Sequence, residues 1–303
     1  MFFLQWLILL VDVILATIGL RLLLLGARSR EPLGPVRALL VRRWIQFWAF
    51  QVMFICGFYT IKVTGLENFE KGKRVGAIMI FNHISYVDPL ALVALLAPSG
   101  VAKSGVSELP FIGPFAIALQ FLFVARRGTG DKVTRHTLPV DVDVPAVIAS
   151  RAADTRYPPM MIAPEATTKP KDCLLRFRRG AFTPGRPVLP VLLRYKARHF
   201  NPGWGVTHST PFHLWRLLSQ FVNHLSIEIL PPYIPSEIEK RDASVYAASV
   251  RDVMAKALQV PLVEQGVAQE RRLLELGISP GPLGRHLIGV QQALDKFNPK
   301  KSI

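Results

Sequence analysis

Residues 76–88 read GAIMIFNHISYVD, an apolar run that ends abruptly in a polar cluster. The run Gly76 to Phe81 is too short for a stable helix and bounded by polar residues, so it predicts a buried strand. Asn82 and His83 follow it directly, and Asp88 stands five positions after His83. A histidine and an aspartate at that spacing meet if the chain turns sharply or begins a helix between them. The carboxylate would then hold one ring nitrogen, fixing the tautomer and raising the basicity of the other. That second nitrogen could take a proton from a hydroxyl nucleophile. The competing assignment makes Asp88 a cap for the following helix and His83 a structural hydrogen bonder.

The same texture continues on either side. Phe121 to Ala125, Met160 to Ala163 and Val188 to Leu193 read as further buried strands, while Leu90 to Leu96 and Phe115 to Leu119 have helical spacing. Strands alternating with helices predict an α/β fold with a mainly parallel central sheet flanked by helices. Binding groups in such sheets gather beyond the carboxyl ends of the strands, where the polar motifs here fall.

Toward the amino end, Phe2 to Leu25 is almost continuously apolar, interrupted by Asp12 and Arg21. It is long enough for one membrane helix at about 1.5 Å per residue. No basic region precedes it and no small-x-small site follows, which disfavours a cleaved signal peptide. Arg21, Arg28 and Arg30 on its far flank place the amino terminus in the lumen and the rest in the cytosol. A second apolar stretch, Trp44 to Val63, follows Arg37, Arg42 and Arg43. Two crossings would strand the main domain across the bilayer from its basic linker. The stretch therefore reads as an interfacial or re-entrant helix, with Trp44, Trp48 and Tyr59 at headgroup level. The expected division is an anchor helix at 1–27, a basic linker with the second apolar helix at 28–63, the main domain at 64–260 and an extension at 261–303.

Bulk properties agree. Half of the 303 residues are apolar and the net charge is +16, so the surface faces something anionic. That combination favours an acidic bilayer over nucleic acid, for which no zinc spacing, aromatic RNP pattern or helix-turn-helix pattern is seen. Two distant cysteines, Cys56 and Cys173, make neither a disulfide framework nor a zinc site and suit a reducing compartment. No metal is expected.

Four ordered motifs then raise a resemblance. The first is Asn82-His83-x4-Asp88. The second is an apolar segment, Leu109 to Arg127, ending in arginine, with Arg126 the match and Arg127 its neighbour. The third is Pro164-Glu165-Ala166-Thr167-Thr168, followed by Phe177-Arg178-Arg179-Gly180-Ala181-Phe182. The fourth is Val188-Leu189-Pro190-Val191, a proline flanked by apolar residues. Together they resemble the glycerolipid acyltransferase family. The segments 100–127, 223–236 and 245–251 look like its plant and algal lysophosphatidylethanolamine and lysophosphatidylcholine acyltransferase branch.

The resemblance implies an enzyme of phospholipid biosynthesis or remodelling. It would move an acyl group from acyl-CoA, a co-substrate with no further cofactor, to the hydroxyl of a lysophospholipid acceptor. His83 would be the general base and Asp88 its orienting partner, with no acyl-enzyme. Arg126 would clamp a phosphate of the acceptor, with Arg127, Glu165, Ala166, Thr167 and Pro190 completing the substrate site. A lysophosphatidic acid acceptor is the nearest enzymatic alternative, and a non-catalytic lipid-binding protein on the same fold is the alternative of another class.

The family glycine after the motif glutamate is Ala166 here. If that backbone needs positive φ, alanine costs on the order of 1 kcal/mol. Lys169-Pro170-Lys171 also departs from the usual small polar turn. Some members of the branch carry calcium-binding EF-hands after the catalytic domain. The chain shows no Asp-x-Asp-x-Asp-Gly loop, so calcium is not expected. Pro280-Gly281-Pro282 breaks any helix in the tail. Lys300-Lys301 near the end resembles a dilysine retrieval signal, in keeping with the endoplasmic reticulum membrane and a cytosolic domain. Headgroup, acyl chain and oligomeric state have no signature in the sequence.

Overall fold

The structure, a computed structural model, describes residues 2–27, 31–110, 112–125, 131–139, 141–168, 173–196, 200–205 and 210–264. Among them seven strands form one sheet. They are β1 (Ile61–Thr64), β2 (Ile78–Phe81), β3 (Ser99–Lys103), β4 (Leu122–Val124), β5 (Met160–Ile162), β7 (Val188–Tyr195) and β8 (Leu225–Ile229). The remaining two, β6 (Leu174–Leu175) and β9 (Leu262–Val263), pair with each other. Sheet order is β1-β8-β7-β2-β5-β3-β4. Every pairing in it is parallel except β7 with β8. The expected mainly parallel sheet is what the chain forms.

Parallel sheets are covered on both faces, and all four residues of β2 are buried. Met79 and Phe81 join Leu189, Val191 and Leu193 of β7 in one cluster. Ile78 and Ile80 join Val188 and Leu192 in another. The first is covered by α2 (Pro35–Ile55), α4 (Val87–Leu96) and α7 (Thr210–Leu218), the second by α6 (Val144–Ala153) and α9 (Ala243–Leu258). Three further helices, α3 (Leu66–Arg74), α5 (Ile112–Ala118) and α8 (Glu237–Arg241), fill the periphery.

The amino-terminal part forms a helix pair. Helix α1 (Phe2–Leu23) packs on α2, and the Trp44 indole N–H donates to the Ala16 carbonyl at 2.9 Å. Gly19 lies under the Trp44 ring, where a β-carbon would overlap it. Among the described residues α1 alone is long and apolar enough to cross a membrane, with mean hydropathy 2.2 over Gln5–Leu23. Both its ends touch the domain: Trp6 and Leu9 meet the first cluster, while Leu20 and Leu23 pack with Val41, Ile45, Ala118 and Leu119.

Helix α2 differs from the expectation. It begins at Pro35, a favoured first-turn position, and takes in Arg37, Arg42 and Arg43. Its Val41, Ile45, Ala49 and Met53, spaced by four, face inward, so the basic residues share a helix with the buried stripe. The apolar run 44–63 is not one element. Gly57, at φ +81°, breaks it, and its end becomes β1, so the boundary expected between 63 and 64 falls within that strand. The extension at 261–303 lies outside the described residues from 265 onward.

Candidate active site

Three neighbouring strands, β7, β2 and β5, run parallel and deliver their carboxyl ends to one edge of the sheet. Asn82 is the first residue beyond β2. Its side-chain amide donates to the Leu193 carbonyl at 2.9 Å, and its oxygen accepts the Leu193 N–H at 2.8 Å. The side chain thus continues the β2–β7 ladder while the backbone turns away, which frees His83 to leave the sheet.

The turn then closes on Asp88, in the first turn of α4. His83 Nδ1 lies 2.9 Å from Asp88 Oδ2. The same oxygen accepts the N–H groups of Ile84 at 2.6 Å and Ser85 at 2.8 Å. Asp88 Oδ1 accepts the Tyr195 hydroxyl from the end of β7 at 2.6 Å. Asp88 is fully buried, and four donors offset the cost of burying its charge. A carboxylate only accepts, so Nδ1 carries the proton and Nε2 presents its lone pair. The His83 side chain is 20% exposed, so the ring is not sealed inside the core. Asp88 thus holds one ring nitrogen of His83 and the backbone of the loop that precedes α4, and it does not cap α4, which has no side-chain cap.

Tyr195 had no part in the expected site. Burial and the Asp88 charge push its phenol well above the usual 10, which keeps the hydroxyl proton in place for donation. Its only sequence signal is a tyrosine at the end of the Val188 strand, more than a hundred residues from Asp88.

The third motif forms the turn after β5. Glu165 is buried, and its two oxygens accept the backbone N–H groups of His83 at 3.0 Å and Leu175 at 2.9 Å. This is a bracing geometry that ties the His83 loop to β6. Ala166 is exposed at φ +57°, the left-handed region that favours glycine. Thr167 is half-buried, and its hydroxyl donates to the Thr168 carbonyl at 3.3 Å. The Pro164 carbonyl accepts the Arg178 N–H at 2.8 Å. Beside it Phe177 and Phe182 are buried with parallel rings 6.1 Å apart, leaving Arg178 and Arg179 exposed.

Pro190 is buried in β7 opposite Ile80. Its carbonyl accepts the Leu230 N–H at 2.9 Å, so the side lacking a donor faces the point where β8 has ended. Arg126 and Arg127 lie outside the described residues. A cleft of about 570 Å³ on the far edge, lined by Phe121, Phe123, His136, Val147, Arg151 and Tyr157 among others, includes none of the expected site residues. Among the described residues no group of three or more His, Cys, Asp or Glu side chains could hold a metal. Cys56 and Cys173 form no disulfide, and burial raises Cys56 to about 12.

A parallel sheet delivering a carboxylate-held histidine at its carboxyl edge defines a class. Residues 60–194 match the Acyltransferase family model. A lysophospholipid acyltransferase of Arabidopsis thaliana is 35% identical over 260 residues, covering 78% of this chain and 64% of its own length. A lysophosphatidylcholine acyltransferase of Drosophila melanogaster is 35% identical over 267 residues, covering 83% of this chain and 47% of its own. The chain thus spans between about half and two thirds of the length of these relatives. The crystal structure of the 1-acyl-sn-glycerophosphate acyltransferase of Thermotoga maritima shares the fold, with TM-score 0.53 at 18% identity, covering 86% of this chain and 97% of that one. The resemblance read from the four motifs is borne out at the level of the family.

Proposed function

We propose that this protein is an acyl-CoA-dependent lysophospholipid acyltransferase with His83 as general base. The observation that carries the proposal is the buried Asp88 holding His83 Nδ1 at 2.9 Å while the ring stays open to solvent. The acceptor hydroxyl gives its proton to Nε2 as its oxygen attacks the thioester carbonyl. The carbon–sulfur bond breaks, and the departing thiolate takes the proton back from the imidazolium. The products are the diacyl lipid and free coenzyme A, with no covalent enzyme intermediate. Asp88 stabilises the imidazolium while staying ionised. Tyr195 and Glu165 position this pair, one through Asp88 and the other through the His83 backbone.

We assign Arg126 and Arg127 to the acceptor phosphate, for which guanidinium groups are suited. Ala166 and Thr167 would line the turn beside it, and Pro190 would shape the strand behind it. Lysophosphatidylethanolamine or lysophosphatidylcholine is the acceptor we favour, on the likeness to the named relatives. We place the chain in the endoplasmic reticulum membrane through α1, with the domain in the cytosol. Arg21 in the last turn of α1, Arg28 and Arg30 after it in the sequence, and two cysteines that form no disulfide support that placement.

The test is acyl transfer from labelled oleoyl-CoA to a panel of lysophospholipids by membranes expressing the chain. Preference for the ethanolamine or choline headgroup supports the proposal. Preference for lysophosphatidic acid would keep the chemistry and change the acceptor. No transfer to any acceptor by folded protein would favour a lipid-binding role without catalysis.

A further inference from the structure

Helix α7 and the turn after it expose apolar surface that the proposed chemistry does not use. On α7, His213, Leu217 and Leu218 face inward, and the last two join the first core cluster with Leu214. On its outer side Phe212 and Trp215, three residues apart, stack with ring centroids 5.6 Å apart and are 57% and 46% exposed. In the turn that follows, Phe221 is 75% exposed. Soluble surfaces scatter such side chains singly, whereas grouped aromatic side chains mark contact with a partner or a bilayer.

The position of this patch says which. Asn223 donates its backbone N–H to the Gly57 carbonyl at 2.8 Å and its side-chain N–H to the Cys56 carbonyl at 2.7 Å. The turn is therefore fixed to the carboxyl end of α2, where Phe50, Phe54 and Tyr59 are also exposed. Trp6 and Leu9 of α1 pack on the same cluster as Leu214 and Leu217. The patch thus continues the apolar outer surface of the α1–α2 pair. Tryptophan and phenylalanine beside a basic residue, here Arg216, suit the headgroup level of a bilayer.

A hydrogen-bond path joins this patch to the His83 loop. His213 Nε2 donates to the Gly203 carbonyl at 3.0 Å, so Nδ1 accepts the Tyr86 hydroxyl at 2.9 Å. Tyr86 lies between His83 and Asp88. The Trp204 backbone N–H donates to the Ile84 carbonyl at 2.9 Å, and its ring meets Tyr86 edge-on.

We propose that α7 and residues 219–222 form a second membrane contact, an interfacial foot that rests on the lipid surface beside α1 and α2. The Tyr86–His213 bond ties this foot to the loop carrying His83, so lipid contact holds the base at the surface where a lysolipid acceptor resides. The inference rests on the reading that α1 lies in lipid, and the test separates the two.

The test uses the full chain in phosphatidylcholine vesicles containing phosphatidylserine, with Cys173→Ser as background. Spin labels are placed singly at Phe221→Cys, at Ile14→Cys on the exposed side of α1, and at Glu237→Cys on an exposed helix start. Collision with dissolved oxygen and with an aqueous nickel chelate reports depth. The expected result is a several-fold loss of chelate access at positions 221 and 14 relative to 237, with 221 the shallower of the two. Lipid depth at 14 with water-like access at 221 would overturn the foot and leave the anchor standing. Water-like access at both would overturn the membrane reading and the foot with it. Loss of chelate access at 221 without the rise in oxygen collisions that accompanies lipid contact would point to a protein partner and would also overturn it.

Discussion

Two turns leave the sheet side by side, after β2 and after β5, and each carries one buried carboxylate, yet the two carboxylates differ in what they hold. Asp88 accepts a ring N–H, two backbone N–H groups and a phenol. Glu165 accepts backbone N–H groups from His83 and Leu175. The first bears directly on a titratable ring, and the second holds the backbone of the residue that carries that ring. Burial and charge are alike, so the difference lies in the donors. An acidic residue in a motif is therefore not assigned a role by its presence; its hydrogen-bond partners assign it.

Substitutions can break or sharpen that contrast. The largest separation is expected from Asp88→Asn, which replaces an acceptor-only group by one that cannot serve all four donors. Turnover should fall by about 10²-fold or more, in the range general-base catalysis supplies, and the pH profile of kcat/KM should change shape. Glu165→Gln should act differently. One amide N–H group would face a backbone N–H, costing about 1–3 kcal/mol of stability in a denaturant titration. Turnover should fall less than for Asp88→Asn, and the pH profile should keep its shape, because Nδ1 retains its partner. A changed profile in Glu165→Gln would erase the distinction.

Tyr195→Phe removes one of the four donors to Asp88. Stability should fall by about 1 kcal/mol, with a few-fold loss of turnover and an altered pH profile. An unaltered profile with lower stability would reduce Tyr195 to a packing residue. Ala166→Gly is the smallest effect and has the opposite sign. At φ +57° glycine relieves left-handed strain, so the free energy of unfolding in a denaturant titration should rise by an amount on the order of 1 kcal/mol.

The contrast also marks how far the sequence could be read. The strands at 78–81, 122–124, 160–162 and 188–195 were legible because buried parallel strands are short, unbroken apolar runs. Strand β3, SGVAK, was not, since glycine, serine and lysine hide it and only its neighbours β4 and β5 make it a strand. Helix α2 was half legible: its apolar part was visible, but its arginines disguised a first half whose period-four stripe faces inward.

In the site, His83 and Asp88 were legible because one short loop-to-helix junction holds both, and its closure depends on local geometry. The bracing by Glu165 was not, because it depends on where the chain brings the Leu175 N–H ten residues later. Tyr195 was hidden for the same reason on a longer scale, since only the β2–β7 register brings it to Asp88. The sensitivity of the Ala166 position was legible as a condition, and the positive φ fulfils that condition.

The central claim is that His83 takes the acceptor's proton, and the most direct test is the turnover of His83→Ala beside the unaltered chain. Both would be expressed to matched levels in membranes and supplied with labelled oleoyl-CoA and lysophosphatidylethanolamine. The expected result is a loss of about 10²- to 10⁴-fold in turnover with the folded protein still present. Transfer by His83→Ala within a few-fold of the unaltered chain would contradict it and require a different base.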